Sequence, residues 1–310
     1  MGLEGLTVAV TGSRRASELA QLVTNMGGIP YVAPTVAIAV QDDLDVQTEA
    51  LIQRIASREF DYAVFMTGPG VYRLMSTAQR LGLDHEVVNV LNRTHVIARS
   101  QKPQKVLEKY GIRVTLVPSD NTSEGIAAEM ATFALRGKRV AILWHGDSHS
   151  MLREALEKRG ATIAEAMTYT YSLELDKRGA EVLAGVGFKS VPPAERRILE
   201  LIQDLGKGAI DVITFTSPPS AKNLFRLAEA HDLDDGLRRA LNETVVVVAV
   251  GPPTRRAIEE NGVSVDVIPD VYKLGPMMRA TVDYLAQDRS DRRKRGIDTM
   301  RPESVADQRG

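Results

Sequence analysis

Four places in the 310-residue chain combine small hydroxylic residues with glycine or proline where a strand gives way to a helix. They are Thr11, Gly12 and Ser13; Thr67, Gly68, Pro69 and Gly70; Thr216 and Ser217; and Gly251, Pro252, Pro253 and Thr254. A helix N-terminus carries N–H groups without intrahelical partners and the positive end of the dipole, so such turns can hold carboxylates or phosphates. Cations accompany them: Arg14 and Arg15, Arg99 and Lys102, His145 and His149, Lys222, Arg255 and Arg256. Taken singly, each turn is what any α/β protein uses to cap a helix. As a set they suit a large polyanion. Tyr169 and Tyr171 add two phenols on one face of an extended run, each able to donate a proton or a hydrogen bond; packing explains them equally well from pattern alone.

Other chemistries find less support. His145 and His149 are four apart, but no third ligand completes a metal site, so none is expected. Neither G-x-G-x-x-G nor G-x-x-x-x-G-K-[ST] occurs, and no G-x-S-x-G elbow, so nucleotide binding and a hydrolase triad lack motifs. With no cysteine, thiolate nucleophiles, thiolate metal sites and disulfides are excluded.

The elements that must position these turns are written twice. Shifting residues 202–224 back by 150 lays Ile202, Gln203, Asp211, Phe215, Ser217 and Leu224 on Ile52, Gln53, Asp61, Phe65, Thr67 and Leu74. Shifting by 151 lays Ala249, Gly262, Val265 and Pro269 on Ala98, Gly111, Val114 and Pro118. The repeat implies duplication of one α/β unit. Short apolar strands are expected at 6–11, 62–66, 95–98, 114–117, 139–144, 211–217, 245–251 and 263–269, with helices of about ten residues between them. That alternation predicts parallel sheets covered on both faces.

Two longer extended runs, 29–40 and 162–173, flank the first copy. The chain is therefore expected to begin in one domain, cross over, build a second, and cross back. Domain one is 1–35 plus 172–287, domain two is 36–171, and the two are joined by a two-stranded β linker with a ligand cleft between them. Gly179, Gly185, Gly187 and the Pro192, Pro193 pair read as a surface insertion over 175–195. Residues 288–310, with Arg292, Arg293, Lys294 and Arg295, read as a polar, disordered tail. Charged residues at 25%, hydrophobic residues at 44% and a net charge of −1 fit a soluble globular protein, with an anionic ligand needing a local basic patch. No signal peptide and no membrane-length apolar run is expected, which gives a cytoplasmic monomer without a nucleic-acid partner.

The chain resembles the uroporphyrinogen-III synthase family over residues 6–287. Val8, Ala9, Val10 and Thr11 look like its opening strand, and Phe215, Thr216 and Ser217 match its F-T-S strand end. Ser123, Glu124 and Gly125 match its S-E-G helix start, and Gly251 to Thr254 in sequence match its G-x-x-T turn. Gly160, Ala161, Thr162 and Ile163, with Tyr169 nine residues after the glycine, are similar to its G-A-x-V…Y segment.

The resemblance implies a cofactor-free cyclising hydro-lyase of haem and tetrapyrrole biosynthesis. Its substrate, hydroxymethylbilane, bears eight carboxylates, loses a terminal hydroxyl as water, inverts ring D through a spiro intermediate and closes. It also implies that Tyr169 assists departure of the hydroxyl. The substrate-binding residues it suggests are Thr11, Ser13, Arg14, Thr67, Gly68, Ser100, Ser123, His145, Gly146, Ser217, Gly251 and Thr254. Several positions depart from the family pattern: Phe65, Met66 and Thr67 for F-T-S, Ser100 to Pro103 for G-x-x-T, Trp144, His145 and Gly146 for L-R-G, and Gly12 and Ser13 for R-P. They leave open an alternative, a synthase-like regulatory domain that binds a tetrapyrrole or other anion without turnover.

Overall fold

The computed structural model describes residues 2–146, 150–173, 177–187 and 189–294, with side chains through residue 287. In chain order the elements are β1 (Thr7–Val10), α1 (Ala16–Asn25), β2 (Ile29–Val32), β3 (Ala37–Ala39), α2 (Asp42–Ala56), β4 (Tyr62–Phe65), α3 (Gly68–Arg80) and α4 (Asp84–Leu91). There follow β5 (His95–Ala98), α5 (Gln101–Lys109), α6 (Ser123–Glu129), β6 (Arg139–Trp144), α7 (Ser150–Glu157), β7 (Thr162–Met167), β8 (Thr170–Ser172) and α8 (Lys177–Gly185). The chain continues through α9 (Glu195–Gly206), β9 (Val212–Phe215), α10 (Pro218–Ala230), α11 (Asp234–Glu243), β10 (Val246–Ala249), α12 (Pro252–Glu259) and α13 (Leu274–Lys294).

Two compact units result, Met1–Val36 with Pro193–Gly310, and Ala37–Pro192. Unit 1 holds a parallel sheet in the order β10-β9-β1-β2, and unit 2 a parallel sheet in the order β5-β4-β6-β7. Within unit 2, β3 and β8 add an antiparallel pair, Ile38 opposite Tyr171.

Alternation along the strands explains why the runs are apolar throughout. In β4, Tyr62 and Val64 belong to one buried cluster while Ala63 and Phe65 belong to another. In β6, Val140, Ile142 and Trp144 point to the first cluster and Ala141 and Leu143 to the second. Each sheet face is thus covered: one by α2, α3, α4 and α5 through residues such as Ile52, Leu74, Val87 and Leu107, the other by α6 and α7 through Ile126 and Leu152. Each fully buried aliphatic side chain contributes about 1.5–3 kcal/mol.

The duplication extends to individual hydrogen bonds. Asp61 Oδ2 accepts from the Arg139 amide and Asp211 Oδ2 from the Thr7 amide, each fixing the start of the neighbouring central strand. Asn92 bonds the backbone at Gly111 and Arg113, and Asn242 bonds it at Gly262 and Ser264. Gly111 and Gly262 both sit at positive φ, 76° and 78°, closing α5 and α12 in the left-handed conformation that glycine tolerates.

Several boundaries differ from the sequence reading. The runs 114–117 and 263–269 contribute single parallel bridges, Ile97 with Leu116 and Val248 with Val267, rather than strands. The long run 29–40 breaks at Ala33 and Pro34, where proline lacks a donor, into β2 and β3. The run 162–173 breaks at Thr168 and Tyr169 into β7 and β8. Residues 172–192 group with unit 2, and the expected surface insertion forms α8, whose Val182 and Leu183 are buried against Ile38, Val40 and Tyr169. The C-terminal helix continues to Lys294, past the expected end at 287; the rest of the expected tail lies outside the described residues.

Candidate functional site

A polar cluster of unit 2 is assembled at the carboxyl ends of β4 and β6. Thr67 caps α3: its backbone is extended and its Oγ1 accepts from the Gly70 amide at 3.2 Å. Gly68 and Pro69 open the helix, and both are buried. The Tyr169 hydroxyl donates to the same Thr67 Oγ1 at 3.1 Å. One threonine oxygen therefore joins a phenol to the positive end of a 13-residue helix.

The turn after β6 holds Tyr169 in place. The Gly146 amide donates to the Tyr169 carbonyl at 2.8 Å, and Thr168 Oγ1 donates to the Trp144 carbonyl at 3.1 Å. Gly146 has φ 61°, and a Cβ built there would collide with the Tyr171 ring. His145, Tyr169 and Tyr171 form a cluster of three rings with centroids 5.8 to 6.0 Å apart, tilted or edge-on. Tyr169 is only 2% exposed, its ring packed among Ile38, Val40, Val182 and Leu183. The structure thus brings together Tyr169, Thr67, Gly68, His145 and Gly146 from the expected set.

The other expected residues of unit 2 stand at their own turns. Ser100 precedes α5 with an extended backbone and no side-chain cap, and Lys102 and Pro103 lie in the first turn behind it. Ser123 is the first residue of α6, but the cap is Thr122, whose Oγ1 accepts from the Gly125 amide at 3.0 Å. Gly125 is required because a Cβ there would meet the Asp120 carbonyl. His149 lies outside the described residues, and no group of three or more potential metal ligands occurs among the described ones.

In unit 1, Thr11 is fully buried and its hydroxyl donates to the Thr214 carbonyl at 2.8 Å, while Thr214 Oγ1 donates to the Ala9 carbonyl at 2.7 Å. These hydroxyls stitch β1 to β9. Ser13 is buried and Arg14 exposed in the turn that follows. Ser217 precedes α10 and its carbonyl accepts from Ser220 Oγ at 2.6 Å. Gly251 precedes α12 in an extended conformation, and Thr254, 2% exposed, returns its amide to the Gly251 carbonyl at 3.1 Å. The Tyr272 ring, 60% exposed, lies about one van der Waals contact from Gly251. Sequence reasoning missed Tyr272, Thr168 and Thr122; an aromatic residue set among polar ones just after Pro269 was the available signal for the first.

A duplicated α/β chain with hydroxylic turns at the carboxyl ends of two parallel sheets defines a class of ligand-binding architectures. Residues 17–279 match the profile of the family described as "Uroporphyrinogen-III synthase HemD". The chain belongs to the uroporphyrinogen-III synthase family. It is 26% identical over 286 residues to the Bacillus subtilis protein YjjA, covering 91% of this chain and 97% of that one. It is 23% identical over 222 residues to the uroporphyrinogen-III synthase of Chlorobaculum parvum, covering 72% and 79%. Its fold superposes on a crystal structure of a mutant uroporphyrinogen III synthase from the extremely thermophilic bacterium Thermus thermophilus with a TM-score of 0.68 at 26% identity, covering 91% of this chain and 100% of that one.

Proposed function

We propose that this protein is a uroporphyrinogen-III synthase, a cofactor-free lyase that cyclises hydroxymethylbilane to uroporphyrinogen III with loss of water and inversion of ring D. Family membership supports the reaction class. The observation that carries the reading is the hydrogen bond from the Tyr169 hydroxyl to Thr67 Oγ1 at the N-terminus of α3.

In the proposed step the Tyr169 O–H turns from Thr67 Oγ1 to the terminal hydroxyl of the substrate and protonates it as its C–O bond breaks, and water departs. Negative charge that develops on the phenolic oxygen is stabilised when the Thr67 hydroxyl, whose Oγ1 accepts from the Gly70 amide at the positive end of α3, turns its own proton to the phenolate. The proton returns to the phenolate when the ring-closing carbon loses its own. The chain supplies little else chemically, and holding a flexible substrate in a near-closed pose provides much of the rate. Carboxylate-holding roles are proposed for Ser100, Ser123, His145, Gly146 and Gly68 in unit 2, and for Ser13, Arg14, Ser217, Gly251 and Thr254 in unit 1; Thr11, expected with them, is fully buried with its hydroxyl bound to the Thr214 carbonyl, so it holds none.

The test is an assay with freshly generated hydroxymethylbilane, resolving the type III isomer from the type I isomer of unassisted closure. One observation favours the alternative of a synthase-like protein that binds without turnover: Tyr169 is 2% exposed and covered by α8. Type I product alone from folded protein would select it.

A further inference from the structure

Helix α8 has a second side. Beyond Val182 and Leu183, which pack on Tyr169, its C-terminal end and the residues after it wall a hollow of about 370 Å³ with α3 and α5. The lining is Tyr72 from α3, Lys105, Val106, Lys109 and Tyr110 from α5 and its end, and the backbone and small side chains of 184–187. That volume accommodates a small organic molecule.

The composition of the lining selects its class. Lys105 and Lys109 are four apart on α5 and so share a face. Both are exposed, and neither takes part in an ion pair or side-chain hydrogen bond among the described residues. Among the described residues no carboxylate lines the hollow. Two phenol rings and Val106, Ala184 and Val186 offer flat and apolar surface beside those charges. Burial, and then the neighbouring Tyr72, raise the Tyr110 phenol above its ordinary value, so it remains a hydrogen-bond donor at neutral pH. Gly185 lies directly on the Tyr72 ring, where any side chain would collide with it.

We propose that this hollow binds a flat aromatic carboxylate, its carboxylate pairing with Lys105 and Lys109 and its ring lying against Tyr72 and Tyr110. Tyr72 also packs against the cluster that contains Tyr169, so an occupant braces both Tyr72 and α8 behind the candidate acid. The binding claim does not depend on the synthase reading, and its test involves no tetrapyrrole.

The experiment is a titration of the full chain with 1-naphthoate, followed by backbone amide NMR shifts. The expected result is saturable movement of signals from 105–110 and 184–187. Lys105→Glu with Lys109→Glu should weaken binding about tenfold or more by reversing the local charge. Ala184→Trp, at an exposed position, should fill the hollow and block binding in a chain whose melting temperature is unchanged. Absence of saturation, shifts confined to other residues, or unchanged affinity in either variant would overturn the proposal.

Discussion

Tyr169 and Thr67 share one hydrogen bond, and each has a separable consequence. Tyr169→Phe removes the donor while keeping the ring, so stability should fall by only about 1 kcal/mol. Type III formation should fall about a hundredfold or more, the usual contribution of a positioned general acid. Tyr171→Phe should slow it less, since the hydroxyl that bonds the α3 cap belongs to Tyr169. Isomer-resolved rates for the two variants check this, and equal rates for Tyr169→Phe and the parent would remove Tyr169 from the reaction. Gly146→Ala forces a left-handed φ on alanine and pushes on Tyr171, and should cost about 1–3 kcal/mol in urea denaturation. Hydroxyls at strand ends could be picked out from residue type, but not the direction each faces. Thr11 and Ser217 look alike in sequence; one is spent inside the sheet on Thr214, the other stands half-buried before α10.

At the scale of elements, one acid-sensitive contact is Asp61 at the foot of β4. The Lys138 ammonium, and next the Arg139 amide, hold its carboxyl below the ordinary 3.8. A carboxylate with a depressed folded-state value contributes fully above its unfolded value and loses that contribution as pH falls through the folded one. Asp61→Ala should therefore cost about 1 kcal/mol at neutral pH, since solvent screens this partly exposed pair, and the difference from the parent should shrink below pH 3.8. Denaturant titrations at about pH 7 and at roughly pH 3 measure both; an equal cost at the two values would contradict the assignment.

Helix α8 is fastened by Arg178, which pairs with Asp42 at 2.9 Å and with Asp45 at 2.6 Å, while Asp45 also meets Arg73 of α3. Asp45→Ala should cost about 1–3 kcal/mol, because Arg73 is largely buried and the other pairs are partly screened. Amide exchange at 177–187 should accelerate in the same variant. Glycines at 179, 185 and 187 made this segment read as a loop. Gly179 is instead buried inside a helix and Gly185 permits close packing on the Tyr72 ring, a tertiary reason that local propensity does not carry.

The whole molecule is two copies of one α/β plan. That much was readable because matched positions such as Asp61 and Asp211 repeat a physical task, capping the neighbouring strand. The buried strands, alternating between two covered faces, were readable for the same reason. The chain as a whole carries a charge of only −1, so under the proposed function attraction for a substrate with eight carboxylates must come from local cations and helix ends. The Michaelis constant should accordingly rise several-fold between about 0.05 and 0.3 M salt, with kcat little changed.

The most direct test of the central claim is the isomer ratio from fresh hydroxymethylbilane with purified, folded protein. The account predicts type III product well above the unassisted background, largely abolished in Tyr169→Phe. Type I product alone, at the uncatalysed rate, would contradict it.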